Sequence, residues 1–146
     1  MIDRSWIGRE LEPSELAIER GRLRAFARAI GETDPVYTDV EAAQTAGYAD
    51  LPAPPTFLFA VELDGGALDA LLDGLGVPIE RLLHGSQGFT YHRHACAGDV
   101  ITVRSRIADI FDKKGGALEF VEKRSEARNA GGELIAELRT TLVVRN

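Results

Sequence analysis

Cysteine is all but missing from this chain: Cys96 stands alone among 146 residues. No disulfide can close within one molecule, so the fold rests on its own core, and a reducing compartment suits it. Cys96 itself reads as a small filler beside a turn. Long apolar runs are missing as well. Nothing approaches the roughly 20 residues that a membrane helix needs. Met1 to Glu12 carries charges where a secretory signal would carry an apolar stretch. A basic surplus is also absent: 17 Lys and Arg face 23 Asp and Glu, a net charge of −6. That balance argues against nucleic acid and anionic membranes as partners. There is no internal repeat, low-complexity tract or linker. With 45% hydrophobic residues, the chain has enough apolar material for a real core. It reads as one cytoplasmic domain over residues 1–146.

Local signals divide the chain into a helical first half and an extended second half. Trp6 to Leu11 reads as a short strand. Pro13-Ser14-Glu15 reads as a helix start, with Ser14 as cap and Glu15 in the first turn. Leu23, Phe26, Ala27 and Ile30 then recur at helical spacing, with Arg22, Arg24 and Arg28 off the stripe. Gly31 is a natural stop, and Pro35 disfavours helix at Asp34. Val40 to Ala46 predicts a helical turn ending at Gly47. Pro52, Pro54 and Pro55 hold Leu51 to Pro55 extended or turned. From Thr56 to Leu63 the chain is apolar nearly all round, with Glu62 its lone charge. A helix without a polar face belongs at the centre of a domain. The pattern continues through Ala67, Leu68, Leu71, Leu72 and Leu75, with a weak point at Gly65-Gly66.

The period then changes. Gln87 to His94 reads as a strand, and Ala97-Gly98-Asp99 as a turn. Ile101, Val103, Ile107 and Phe111 are assigned to one face of a long strand, with Thr102, Arg104 and Arg106 opposite. Lys113 to Gly116 turns, Leu118 to Asn129 returns, and Ala130-Gly131-Gly132 turns again. Leu134, Ala136, Leu138, Thr140, Leu142 and Val144 alternate with Ile135, Glu137, Arg139 and Thr141. The class is α+β: a long antiparallel sheet wrapped around a central apolar helix, which resembles the hot-dog fold. A self-contained α+β domain of another plan is the alternative. Free edges of such a sheet favour pairing with a second copy.

Several segments carry a family likeness in a fixed order. They are Phe26-Ala27-Arg28-Ala29-Ile30-Gly31, Asp34-Pro35-Val36-Tyr37, Ala53-Pro54-Pro55-Thr56-Phe57 and His84 to Arg93, followed by Ala97-Gly98-Asp99. Together they resemble, over essentially the full length, the MaoC-like (R)-hydratases and dehydratases of the N-terminal dehydratase domain type. That resemblance implies acyl thioesters of CoA or an acyl carrier as ligands, no cofactor, and a homodimer or a heterodimer with a second hot-dog subunit. It further implies a catalytic pattern Gly-Asp-x-Asn-Pro-Ile-His-x-Asp. On that pattern Gly31, Asp34, Pro35 and Asp39 fall on Gly, Asn, Pro and the last Asp. Glu32 falls on the catalytic Asp and Tyr37 on the catalytic His.

Hydration needs one group to move the water proton and another to manage the α-carbon proton, with amides stabilising the enolate. Glu32 is one methylene longer than Asp, and a misplacement of about 1 Å costs a catalytic group ~10²-fold. A tyrosine of ordinary pKa near 10 is a poor base at neutral pH but a fair donor. The alternative at both positions is structural: Glu32 solvated after the helix, Tyr37 packing the loop. In the family an amide at the start of the central helix serves as oxyanion donor. Here that place falls on Pro55, which has no N–H, or one residue on, at Thr56. Phe57 follows, where the resemblance puts the acyl chain. His84 is the replacement base if one exists, because histidine titrates near neutrality. His92 and His94 lack a third ligand, so no metal is expected. Arg93 is the candidate for the carrier's phosphates, with a solvated charge as the alternative.

Three readings result. The chain acts on or binds (3R)-hydroxyacyl or enoyl thioesters with a variant dyad. Alternatively it is the non-catalytic partner of a catalytic MaoC-like subunit. A thioesterase is the third.

Overall fold

The alternation in the second half builds a sheet with one buried face. The computed structural model describes residues 1–146. Five strands, β1 (Ser14–Ala17), β2 (Leu82–Tyr91), β3 (Val100–Lys113), β4 (Leu118–Arg128) and β5 (Leu134–Arg145), form one sheet in the order β1-β3-β4-β5-β2. Every pairing is antiparallel. Inward residues Ile101, Val103, Ile107, Val121, Leu138 and Leu142 are at most 2% exposed. They cover the helices α1 (Arg20–Ala29), α2 (Val40–Thr45), α3 (Phe59–Asp64) and α4 (Ala67–Leu75). The fold is α+β, with the sheet curled about the central helical segment as the hot-dog plan requires.

Two apolar clusters fill the space between sheet and helices. One joins Leu23, Leu51, Phe57, Leu58 and Val61 to Ile101 and Val103. The other joins Leu71 and Leu72 of α4 to Ile107, Ile110, Val121 and Leu142. Between them lies the one charge of the central segment. Glu62, 2% exposed, accepts from Lys123 Nζ at 2.8 Å, from Ser105 Oγ at 2.6 Å and from Ser125 Oγ at 2.8 Å. A buried carboxylate is tolerable only when paired and hydrogen-bonded in this way.

Several local expectations are corrected. Trp6 to Leu11 forms no strand: a 3₁₀ turn covers Arg4–Trp6, and Glu10 makes an isolated bridge to Arg106. Ser14 does not cap a helix. It is buried at 5% and opens β1 opposite Val103, so sheet pairing overrides the local capping signal. The helix begins six residues later, at Arg20. The central helix is not continuous. Residues 55–58 turn, α3 lasts six residues, and Gly66 takes φ 70° before α4 begins. Gly65 lets this break lie against β1, because a Cβ there would stand 2.7 Å from Ser14 Oγ. β2 runs from Leu82 to Tyr91, so His92 and His94 lie beyond the strand. In β3 a register shift between Ile107 and Asp109 turns Ile110 inward. Phe111 is thereby moved outward onto Phe120, ring centroids 4.9 Å apart, instead of sharing the face of Ile107. No helix is long and apolar enough to cross a membrane.

Candidate active site

Helix α1 ends at Ala29, and Gly31 follows its cap with a φ of 71° that is open to glycine and costly for other residues. The next residues form a polar loop in which each acid caps the backbone. Glu32 Oε1 accepts from the amides of Thr33 and Asp34, both at 2.9 Å. Asp34 accepts from Val36 N at 3.1 Å and starts the 3₁₀ turn Pro35–Tyr37. Asp39 accepts from Glu41 N at 3.0 Å and caps α2. Arg24 of α1 holds the loop from behind, its Nε donating to the Thr38 carbonyl at 2.9 Å. Each of the motif's carboxylates thus gives one oxygen to holding the loop's shape.

Tyr37 is half-buried in this loop. Burial, followed by the nearby charge of Glu32 and then Tyr48 and Asp34, raises its phenol above the ordinary value. A phenol raised in this way keeps its proton at neutral pH and acts as a donor. Tyr91 at the end of β2 lies beside it. Burial and then Tyr37 push the Tyr91 phenol well up. Its hydroxyl donates to the Pro55 carbonyl at 2.6 Å. Tyr91 therefore anchors the end of β2 to the proline turn ahead of the central helix, with Tyr37 nearby. Tyr48 flanks the group and meets the His94 ring edge-on at 5.0 Å.

The proline turn supplies the remaining parts. Pro55 has no N–H, while the Thr56 amide is exposed and makes no bond within the chain. Thr56 sits three residues before α3, in the turn, and not at a helix N-terminus. Phe57 is 1% exposed and packs edge-on against Phe26 at 5.4 Å, within the core beneath the turn.

The fold gathers Glu32, Asp34, Tyr37, Pro55, Thr56 and Phe57 at one end of the sheet. It does not bring His84 there. His84 lies seven residues before Tyr91, roughly 23 Å away along a strand at ~3.3 Å per residue. Its ring rests on Phe59 at 4.7 Å and its Nε2 meets Gln87 Oε1 at 3.1 Å. Arg93 pairs with Glu133 at 3.2 Å, both exposed. No three His, Cys, Asp or Glu side chains converge to hold a metal. Tyr48 and Tyr91 are the site residues that sequence reasoning passed over. Alternation with Gln87 and Phe89 was the signal available for Tyr91, since all three lie opposite inward residues of β5. Chemically the site offers two donors, the Tyr37 hydroxyl and the Thr56 amide, beside a Glu32 carboxylate with one oxygen held by the loop.

A family model described as FAS1-like, dehydratase domain region, matches residues 5–138. A UPF0336 protein from Streptomyces avermitilis is 39% identical over 145 residues, covering 99% of this chain and 95% of that protein. Among solved structures, a chain of the C-terminally truncated HadBC (3R-hydroxyacyl-ACP dehydratase) complex from Mycobacterium tuberculosis is similar at a TM-score of 0.81 and 29% identity. That match covers 94% of this chain and 96% of the other. A MaoC-like dehydratase from Rhodospirillum rubrum shares the fold at a TM-score of 0.71 and 20% identity, covering 96% and 92%.

Proposed function

Because this chain belongs to the FAS1-like dehydratase-region family and has the fold of the MaoC-like hot-dog dehydratases, we propose that it binds (3R)-hydroxyacyl or enoyl thioesters. In this reading it pairs with a second hot-dog chain that supplies the acid–base dyad. One observation carries the proposal. The residue in the place of the catalytic carboxylate, Glu32, spends Oε1 on two loop amides, and the residue in the place of the histidine, Tyr37, is held protonated. Donors remain, while Glu32 has only Oε2 left for moving a proton. Tyr37 and the Thr56 amide suit a thioester carbonyl, and the partly exposed Phe26, packed on Phe57, offers the acyl chain an apolar side chain. The HadBC protein is a complex of dehydratase chains, which is consistent with a paired arrangement here.

A second reading keeps activity in this chain. β2 is an edge strand, and antiparallel pairing with another β2 would carry one copy's His84 toward the other's Tyr91. His84 would then act as base, with Glu32 beside it.

The test is hydration of crotonyl-CoA by the purified chain, with Glu32→Gln beside it and crotonyl-CoA binding measured calorimetrically. Gln keeps an acceptor oxygen for the loop amides, so the variant retains the loop. Binding without turnover in either protein is expected. Turnover that disappears in Glu32→Gln sinks the proposal in favour of a rebuilt dyad. Release of free thiol would point instead to a thioesterase.

A further inference from the structure

The outward face of the sheet carries a feature that the thioester reading does not use. Register places Arg106 of β3 opposite Arg124 of β4, and Arg124 opposite Arg139 of β5. Three guanidinium side chains therefore stand in one row, their stems within about 10 Å at the usual ~4.8 Å strand spacing. Like charges directly opposite one another are destabilising, so the row needs a reason. All three are exposed, and none makes an ion pair. The arginine pairs of this chain use Arg4, Arg20, Arg22, Arg93 and Arg128. The two nearest carboxylates in the next row are directed elsewhere: Glu126 holds Arg128 at 2.8 Å, and Glu137 holds His92 at 2.9 Å. Glu122 flanks the row on its other side.

The row lies in a groove of about 700 Å³, with Arg104, Glu10, Glu126 and Glu137 along its walls. Such a volume holds a small organic ligand. At the β5 end the row is opened by a glycine. Gly88 lies opposite Arg139, and a Cβ there would stand 3.2 Å from Arg139 Nε and 3.3 Å from Nη2. The Arg139 side chain thus rests on bare backbone at Gly88, in space that any larger residue there would contest. An adjoining hollow shares Arg124 and Arg139 and adds the hydroxyls of Ser86 and Thr141. The chain as a whole is acidic at −6, so this strip is a local arrangement and not part of a general basic surface.

We infer that this groove is a nucleotide site, separate from the candidate site around Tyr37 and Thr56, in which Arg106, Arg124 and Arg139 hold the phosphates of a nucleoside di- or triphosphate. Planar guanidinium forks match phosphate oxygens two at a time. Glu126 and Glu137 each keep one carboxylate oxygen, Oε1, outside their ion pairs, and these oxygens disfavour a bare anion and suit a ligand that also brings hydroxyl or amino donors, as ribose and base do.

The test is calorimetric titration of the intact chain with ADP, inorganic pyrophosphate, adenosine and CoA, each separately, at low and moderate salt. ADP is expected to bind more tightly than pyrophosphate, and adenosine not to bind. Arg124→Ala, on an exposed position, should weaken ADP about tenfold or more, while Arg81→Ala, exposed and outside the groove, should leave it unchanged. Gly88→Ala should also weaken ADP by displacing Arg139 without removing a charge. Affinity should fall with salt. Equal binding of adenosine, or ADP binding indifferent to Arg124→Ala, overturns the site. Pyrophosphate binding as tightly as ADP overturns the nucleoside assignment. CoA binding without ADP binding assigns the arginines to the thioester carrier and overturns the separate site. None of these outcomes depends on crotonyl-CoA turnover, so the two proposals fail independently.

Discussion

At Glu62 a carboxylate that is 2% exposed meets one ammonium and two hydroxyls across the core. Lys123 is itself 4% exposed, so each charge is tolerable only because of the other. Glu62→Ala should cost about 3–5 kcal/mol, because it strands the lysine in the core. Urea unfolding would read this, and the double change Glu62→Leu with Lys123→Met should recover most of the loss. A single-variant loss below about 1 kcal/mol would mean that water reaches Lys123, contrary to the burial described here. The sequence marks Glu62 as anomalous, a single charge in an apolar run. It cannot name the partner, which lies 61 positions away. The same holds at the candidate site. The departure of Glu32 and Tyr37 from a known pattern is visible in the residues. That Glu32 caps two amides, and that Tyr91 bonds Pro55 beside Tyr37, depends on loop geometry and on a strand arriving from the far half of the chain.

The elements show where local signals yield to packing. The apolar run from Thr56 and the leucines of α4 read as one central helix, and they are two short ones separated by Gly65-Gly66. The break is used: β1 packs into the space that Gly65 leaves. Gly65→Ala would press a Cβ to 2.7 Å from Ser14 Oγ and 2.8 Å from its Cβ, in a residue that is 5% exposed. A loss of about 1–3 kcal/mol is expected from this overpacking. The same change at Gly21, exposed on α1 with nothing within 4 Å, should stabilise by up to about 1 kcal/mol. Thermal or urea midpoints of the two variants should therefore move in opposite directions. Movement of both upward would mean that backbone entropy dominates and the β1 contact yields freely. In β3 the strand itself was legible, and its facing was legible only as far as Ile107. A bulge adds one residue without any glycine or proline to announce it, and every side chain after it changes face.

For the molecule as a whole, the unsatisfied feature is the free edge of β2, ten residues long and exposed over much of its length. Such an edge invites pairing with another chain. The purified chain should sediment as a dimer or larger at micromolar concentration, or do so on mixing with a second hot-dog chain. Amides along β2 should then become protected from hydrogen exchange on association. A stable monomer whose β2 amides exchange freely under both conditions would remove the basis for a paired assembly.

The sequence by itself determined the class of the fold, the order of its long strands, the buried character of the central segment and the segment that resembles a dehydratase site. Each depends on periodicity or on residues close together in the chain, where the physics is local. Tertiary structure alone decided which partner satisfies Glu62, where the central helix breaks, which face Phe111 takes and which groups surround Tyr37. It also set the row formed by Arg106, Arg124 and Arg139, for that row exists only through strand register. These outcomes turn on contacts between residues tens of positions apart, where burial and pairing outweigh what any single stretch of chain prefers.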